Sequence, residues 1–474
     1  MNALLICNVG TRDVRCDELP KTASRERQWA QTALAQYDEL RTSFTLPIIG
    51  KALSYLAERG VVLTQVILIA SDQPDTVTFR DSDTVYSAAI IARLLADGLT
   101  PYSPLAPDQI ITWIIQDEQG RGSDPSDYDG TLRFLERQLL SLAQRYPRHT
   151  AFLEVTGGTP AMTTGLLIAG TEAFGGRTEV LSIPPQPHAA PVALNTGRRL
   201  LAAPLRATLR SNADTYAYAA AAKTLLEQEA IITDRLNPVA ASLLAPLLAY
   251  AHHRFNFDFL NARRALEKVQ RAGPWQDVIN ELRAQVTQVD RSMRLAEVVH
   301  AAAARYEIGL YADFLTQVVR FEENLLRYLC LQHGARFRNR RGLPDDDGVY
   351  LAREWLQRQS FTLSRDRDLS RDLHADRSVL RELLEKLITP RHNLLVSIAK
   401  LDNLVKRRNE LTHSLEGVQK AGLARAFAGD AAHPSAADQI VPHLRQLYEQ
   451  ACGKTLPESP YRRINRLLAS LLQP

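Results

Sequence analysis

The strongest constraint on this chain is an alternation in its first two hundred residues. Five short apolar runs, "ALLICN", "QVILIA", "IITWIIQ", "TAFLEVT" and "EVLSIP", are separated by stretches with helical apolar spacing, "PIIGKALSYLAERG", "SDTVYSAAIIARLLADG", "TLRFLERQLLSLAQRY" and "AMTTGLLIAGTEAF". A strand that is apolar on both faces must be buried on both, and the helices between such strands supply the cover. The alternation therefore predicts a Rossmann-like α/β domain with a parallel sheet core. It stops within "SIPPQPHAAPVALNTGRR", at Pro184, Pro185, Pro187 and Pro191, and Ala-rich helical text follows, so a domain boundary is expected near residue 200.

From there to the C-terminus only helix-period segments are visible, with Pro238, Gly273 and Pro274 as breaks. The expected organisation is α/β plus all-α: residues 1–200 as the sheet domain, 201–300 as a helical connector and 301–474 as a C-terminal all-α domain. "FDFLNARRALEKVQ" resembles one helical-repeat hairpin, but no 34-residue period recurs, which favours a connector over a solenoid. Two stretches interrupt the late helices. "ARFRNRRGLPDDDG" carries Arg336, Arg338, Arg340 and Arg341 around Phe337, a weak candidate for substrate contact. "LSRDRDLSRDLHADR" alternates in sign, which predicts a solvated helix or loop.

Composition removes several function classes. With 45% hydrophobic and 23% charged residues the chain reads as globular, and a net charge of +4 is too small an excess to identify a nucleic-acid partner by itself. Cys7, Cys16, Cys330 and Cys452 form no CxxC, and His252 and His253 lack companion ligands, so no metal site is expected. No run approaches the roughly 18 to 20 apolar residues of a membrane span, and no secretory signal opens the chain. The expected setting is a reducing cytoplasm, without a membrane partner.

In open parallel sheets the ligand sits beyond the carboxyl ends of the strands. Two loops stand out there. "NVGTRDV" offers Gly10 for a tight turn, the Thr11 hydroxyl and the Arg12 fork; "EVTGGTPAM" offers Gly157 and Gly158 for close backbone approach, Thr159 as a helix cap and Pro160 as the first helical residue. Ordinary βα turns use the same residue types for conformational reasons alone. Neither loop is a GxGxxG dinucleotide fingerprint or a P-loop.

"LLICNVGTRDV", "SDQPDTVTFRDSDTVYSA" and above all "LEVTGGTPAM" resemble the CARF domain of type III CRISPR ancillary proteins, over about residues 1 to 200. The resemblance implies a homodimer whose paired CARF domains bind a cyclic oligoadenylate second messenger. It assigns the contacts to Gly10, Thr11, Arg12 and Asp13 and to Thr156, Gly157, Gly158, Thr159 and Met162, with Asp72 and Gln73 at the end of the second strand as additions.

Near the C-terminus, "LDNLVKRRNELTHSLEG" has Leu401, Leu404, Val405, Leu411 and Leu415 in an approximate helical stripe. Arg408 and His413 are some 140° apart around such a helix, so the two do not share one solvated stripe. A polar group turned toward a packed or symmetric surface needs a partner. Arg408, Asn409 and His413 resemble the HEPN ribonuclease signature, an arginine followed after four to six residues by a histidine; Arg407 also satisfies that spacing. The resemblance implies metal-independent cleavage of single-stranded RNA by its own 2′-OH, leaving a 2′,3′-cyclic phosphate and a 5′-hydroxyl, with no cofactor. The HEPN site would be composite, assembled from two subunits. The alternative is a ring nuclease or messenger-binding regulator whose helical domain is catalytically inactive; a winged-helix regulator conflicts with the long helical half.

Overall fold

The computed structural model describes residues 2–21, 25–186, 189–287, 290–359, 363, 372–388, 393–412 and 417–473. They divide into two compact units, Met1–Thr208 with Thr224–Arg235, and Leu209–Lys223 with Leu236–Gln473.

In the first unit the five apolar runs become strands β1 Asn2–Asn8, β2 Val62–Ala70, β3 Ile110–Ile114, β4 Thr150–Glu154 and β5 Thr178–Ser182. They lie parallel in the order β3-β2-β1-β4-β5. Helices α1 Glu26–Ala35, α2 Ile49–Glu58, α3 Val85–Ala96, α4 Tyr128–Arg145 and α5 Pro160–Phe174 cover them. The pleat of β1 shows why its run had to be apolar throughout: Ala3, Leu5 and Cys7 pack with Ala33, Leu53 and Ile90 of α1 to α3, whereas Leu4 and Ile6 pack with Leu139 of α4 and Leu166 of α5. Each large side chain so buried contributes roughly 1.5–3 kcal/mol.

A sixth strand, β6 Val192–Leu194, pairs antiparallel with β5. Its three residues are too few to carry a sequence period, and an antiparallel pairing needs no crossover helix.

Helices α6 Thr196–Asp214 and α7 Tyr218–Ile232 contribute residues to both units. The second unit continues with α8 Pro238–Phe255, α9 Phe259–Glu267, α10 Gln276–Thr287, α11 Arg291–Glu307 and α12 Tyr311–Gln332. It ends with α13 Arg377–Leu387, α14 Asn393–Ala399, α15 Asp402–Thr412, α16 Lys420–Ala428, α17 Ile440–Cys452 and α18 Pro460–Leu471. The core is the α11–α12 hairpin, turned at Gly309 with φ +77, onto which α13, α15 and α17 pack Leu383, Leu404 and Leu447. A buried ion pair fastens α8 to α11: Arg254 Nε and Nη2 lie 2.9 and 2.7 Å from Glu297 Oε1 and Oε2, and Tyr461 donates to the same carboxylate at 2.7 Å.

This half is less uniformly helical than its text suggests. Phe337–Arg338, Tyr350–Leu351 and Leu373–His374 form a small antiparallel sheet, built from strands too short to carry a sequence period.

Candidate functional site

Strand order reverses between β1 and β4, and the loops leaving them meet there. Gly10 N donates to Asp13 Oδ2 at 2.6 Å, closing the first loop on itself. A Cβ on Gly10 would lie 2.7 Å from Gly158 N, and one on Gly157 would lie 2.4 Å from the Asn8 carbonyl oxygen. Both glycines are therefore required by the crossing of the two loops, before any ligand is considered. Gly158, at φ +82, takes the left-handed turn that aims the backbone into α5. Thr159 then caps that helix: its hydroxyl accepts from Met162 N at 3.2 Å and donates to the Pro125 carbonyl.

Two carboxylates, Asp13 and Glu154, are fully buried beneath the crossing. Glu154 Oε1 accepts from Thr156 N at 2.7 Å, while Glu154 Oε2, Asp13 Oδ1 and both polar atoms of Asn8 find no hydrogen-bond partner among the described residues. Burial, reinforced by repulsion from Glu154, pushes the Asp13 carboxyl up to about 8; burial raises Glu154 as well. Asp13 is thus largely protonated at neutral pH.

Above the crossing opens a cavity of about 410 Å³. Of the sequence-predicted residues, Gly10, Thr11, Gln73, Gly158, Thr159 and Met162 line it. The others are placed differently. Arg12 is exposed outside the lining. Asp13 and Gly157 sit in the crossing. Asp72 pairs with Arg27 at 2.6 Å, and Thr156 accepts from Ile183 N at 2.7 Å, tying the loop to the end of β5.

The cavity also uses residues that the motifs did not suggest, among them Phe79, Asp83, Asp124 and Ser126. Asp83, fully buried, accepts from Gln73 N at 2.6 Å and Gln73 Nε2 at 3.0 Å. Phe79 is 75% exposed at the wall, and sequence could have flagged it only as an aromatic in a polar loop. The lining holds hydroxyls, amides and carboxylates but no cationic side chain. Such a surface suits the amino edges of bases and sugar hydroxyls, with backbone N–H groups at the start of α5 facing any phosphate.

In the second unit Leu401, Leu404 and Val405 are buried, as their stripe predicted, and Arg408 of α15 is half-buried beside exposed Asn409. Arg408 Nη1 lies 3.3 Å from Asn409 Oδ1, and Arg407 Nη1 lies 3.3 Å from Glu410 Oε2. His413 and Leu415 lie outside the described residues, as does the side chain of Leu411.

The start of this helix is held firmly. Asp402 accepts from Arg377 Nη2 at 2.5 Å and from Arg381 Nη1. Arg377 also grips fully buried Glu322 of α12 through two bonds, at 2.9 and 2.8 Å. Arg377 closes the mixed-charge run, most of which lies outside the described residues. Arg338, from the basic stretch near residue 340, bonds Glu354 at 2.8 Å and the Gly342 carbonyl at 3.0 Å within the small sheet. His253 pairs with Asp258 at 3.2 Å, and no group of three or more ligand-type side chains that could hold a metal ion occurs among the described residues. No helix among them is long and apolar enough to cross a membrane.

No family profile matches the sequence, and no curated protein matches it. Solved structures do match. Enterococcus italicus Csm6 bound to cyclic hexa-2'-fluoro-hexa-dAMP is similar with a TM-score of 0.58 at 13% identity, over 100% of this chain and 99% of that chain. The chain has the Csm6 fold, a parallel-sheet unit followed by a helical one.

Proposed function

We propose that the chain is a cyclic-oligoadenylate-activated, metal-independent endoribonuclease acting on single-stranded RNA in type III CRISPR antiviral defence. The observation that carries this reading is the cavity formed where "NVGTRDV" and "EVTGGTPAM" cross at the switch point of a Csm6-like sheet. The Csm6 structure of that fold is one bound to a cyclic adenylate analogue.

In this reading residues 1–200 form the messenger-binding CARF domain, 201–300 the connector and 301–474 the HEPN domain. Thr11, Gln73 and the wall carboxylates meet adenine and ribose edges, Phe79 supplies a stacking face, and the start of α5 receives phosphate. Arg12, exposed beside the cavity, is available to the ring from outside the lining, and Asp13, Asp72, Thr156 and Gly157 act by fixing the loops.

Cleavage falls to Arg408, Asn409 and His413. The RNA 2′-OH attacks the adjacent phosphate, breaking the P–O5′ bond and closing a 2′,3′-cyclic phosphate. His413 moves a proton or positions the hydroxyl, imidazole being the side chain suited to proton transfer near neutral pH. Arg408 stabilises the charge on the phosphorane, and Asn409 orients the pair. The site is completed by a second copy, so homodimerisation belongs to the mechanism, and messenger binding shifts the population toward the assembled state. No metal or cofactor takes part, and the setting is cytoplasmic.

The test is incubation of the purified protein in EDTA with fluorescent RNA and each cyclic oligoadenylate. Cleavage stimulated by one ring in the wild type, and lost in Arg408→Ala and His413→Ala, is the expected result. Cleavage that needs added metal, or that survives both substitutions, overturns it.

A further inference from the structure

Helices α11 and α12 carry more positive charge on their facing sides than their packing requires. Arg291 and Arg294 fall one turn apart on α11, and Arg320 and Arg327 fall on one stripe of α12, so helical periodicity turns four guanidinium groups toward the same cleft. The cleft is a hollow of about 290 Å³ that shares Arg291, Arg294, Tyr328 and Asp347 with a second hollow of about 480 Å³.

One carboxylate lines the first hollow. Asp347 Oδ1 and Oδ2 lie 2.9 Å from Arg291 Nη2 and Arg294 Nη1, and Arg327 donates to the Asp347 carbonyl at 3.1 Å and to that of Gly348. These contacts fasten the loop of the small sheet, but a single carboxylate leaves three of the four positive charges uncompensated in the lining. In the second hollow Asp290 adds another carboxylate, committed to its own Ser292 hydroxyl at 2.7 Å and Met293 amide at 2.7 Å. Arg320 is exposed, and its guanidinium, with no hydrogen bond or ion pair among the described residues, lies over the Phe257 ring at 5.1 Å.

Part of the lining is aromatic. Phe257 and Phe259 have ring centroids 6.4 Å apart and both line the hollow, and Phe257 holds φ +59, a left-handed position where a glycine would end α8 without strain. An excess of guanidinium groups over carboxylates, beside the half-buried Phe257 and Phe259 rings, matches the alternation of phosphate and base along an unpaired strand. A double helix would present its phosphates but keep its bases stacked inside.

We propose that this cleft is a binding site for single-stranded RNA whose lining does not include Arg408, in which the arginines hold backbone phosphates and the phenylalanine wall takes a base. The choice of RNA as the strand rests on the ribonuclease reading above. The cleft reaches the cleavage helix through shared structure: α12 presents Arg320 and Arg327 on one side and, on another, buried Glu322, which through Arg377 anchors the start of α15.

The test is fluorescence anisotropy of the full chain with a short 2′-O-methyl oligouridylate, which lacks the nucleophilic hydroxyl and so reads binding without cleavage. Arg320→Ala is expected to weaken binding by about fivefold to tenfold and to reduce the slope of log affinity against log salt by about 0.7. Phe259→Ala should weaken the oligouridylate but not an abasic oligomer. Wild-type affinity and salt slope in Arg320→Glu would overturn the proposal, as would displacement by oligoglutamate as readily as by oligouridylate, which would assign the cleft to an acidic peptide. Arg320-dependent binding by a protein that cuts no RNA supports the cleft and sinks the ribonuclease reading; activated cleavage with no effect of Arg320 on binding does the reverse.

Discussion

The cavity above β1 and β4 and the cleft on α11 and α12 are both suited to nucleotides, yet they are built from opposite materials. The cavity is lined by hydroxyls, amides and two carboxylates, with no cationic side chain, and its shape depends on glycines crossing at van der Waals limits. The cleft is lined by four arginines from α11 and α12 and by Phe257 and Phe259 from the turn where α8 gives way to α9. A cradle of fixed dipoles recognises a compact ligand by its edges and is nearly indifferent to salt; free charges hold a flexible polyanion by its backbone and weaken as salt rises. The first arrangement fits a messenger that must be distinguished from other nucleotides. The second fits a substrate that must be retained whatever its sequence.

The largest effect should come from a substitution in neither region. Arg408→Ala is expected to lower activated cleavage by about 10²–10³-fold while messenger affinity and RNA affinity, each measured by anisotropy, stay at wild-type values. Loss of either affinity would tie the cleavage helix to that region and break the separation.

The next effect is confined to the cavity. Gly157→Ala places a methyl 2.4 Å from the Asn8 carbonyl oxygen and 2.8 Å from Asp13 Oδ2. It should cost roughly 1–3 kcal/mol by overpacking, seen as faster hydrogen exchange in β1 and β4 with the α11–α12 hairpin unchanged.

Asp13 gives the comparison a pH signature. Its folded pKa of about 8 stands above the ordinary 3.8, so the folded state binds more protons than the unfolded one between those values. Its stabilising contribution is present below pH 4 and is lost as pH rises toward 8, with a limiting slope of about 1.4 kcal/mol per pH unit for one proton. Denaturant unfolding across that window should show the loss, and Asp13→Asn, which keeps an acceptor for Gly10 N, should flatten it. The smallest effect is Thr159→Ala, expected to cost about 1 kcal/mol through the lost α5 cap and to weaken messenger binding only in proportion.

How much of this was legible in the sequence follows from the length of each signal. The sheet was readable because β1, β2 and β4 are apolar on both faces, and the cavity loops because Gly10, Gly157, Gly158 and Thr159 have strong local preferences. β6 and the small sheet were not, since two or three residues carry no period. The roles of the glycines were only partly visible: the sequence suggested a tight turn at Gly10 and close backbone approach at Gly157 and Gly158, whereas a Cβ on Gly10 or Gly157 would first meet the other loop. Arg291, Arg294, Arg320 and Arg327 form no run and become a cluster only when α11 and α12 fold back on each other, whereas the denser arginines near residue 340 are spent in part on fastening a turn. Phe79 was invisible for a similar reason, being one aromatic in a polar loop until the fold sets it against the cavity.

That residue offers the most direct test of the central claim, that nucleotide capture in the sheet unit controls cleavage by the helical one. Because Phe79 is exposed and unneeded by the core, Phe79→Ala should leave the fold intact. In a titration of RNA cleavage against the activating cyclic oligoadenylate, the account predicts that the variant reaches the wild-type plateau but needs about 5- to 100-fold more activator, the equivalent of losing one base stack. An unchanged midpoint, or cleavage that proceeds equally without any activator, would contradict it.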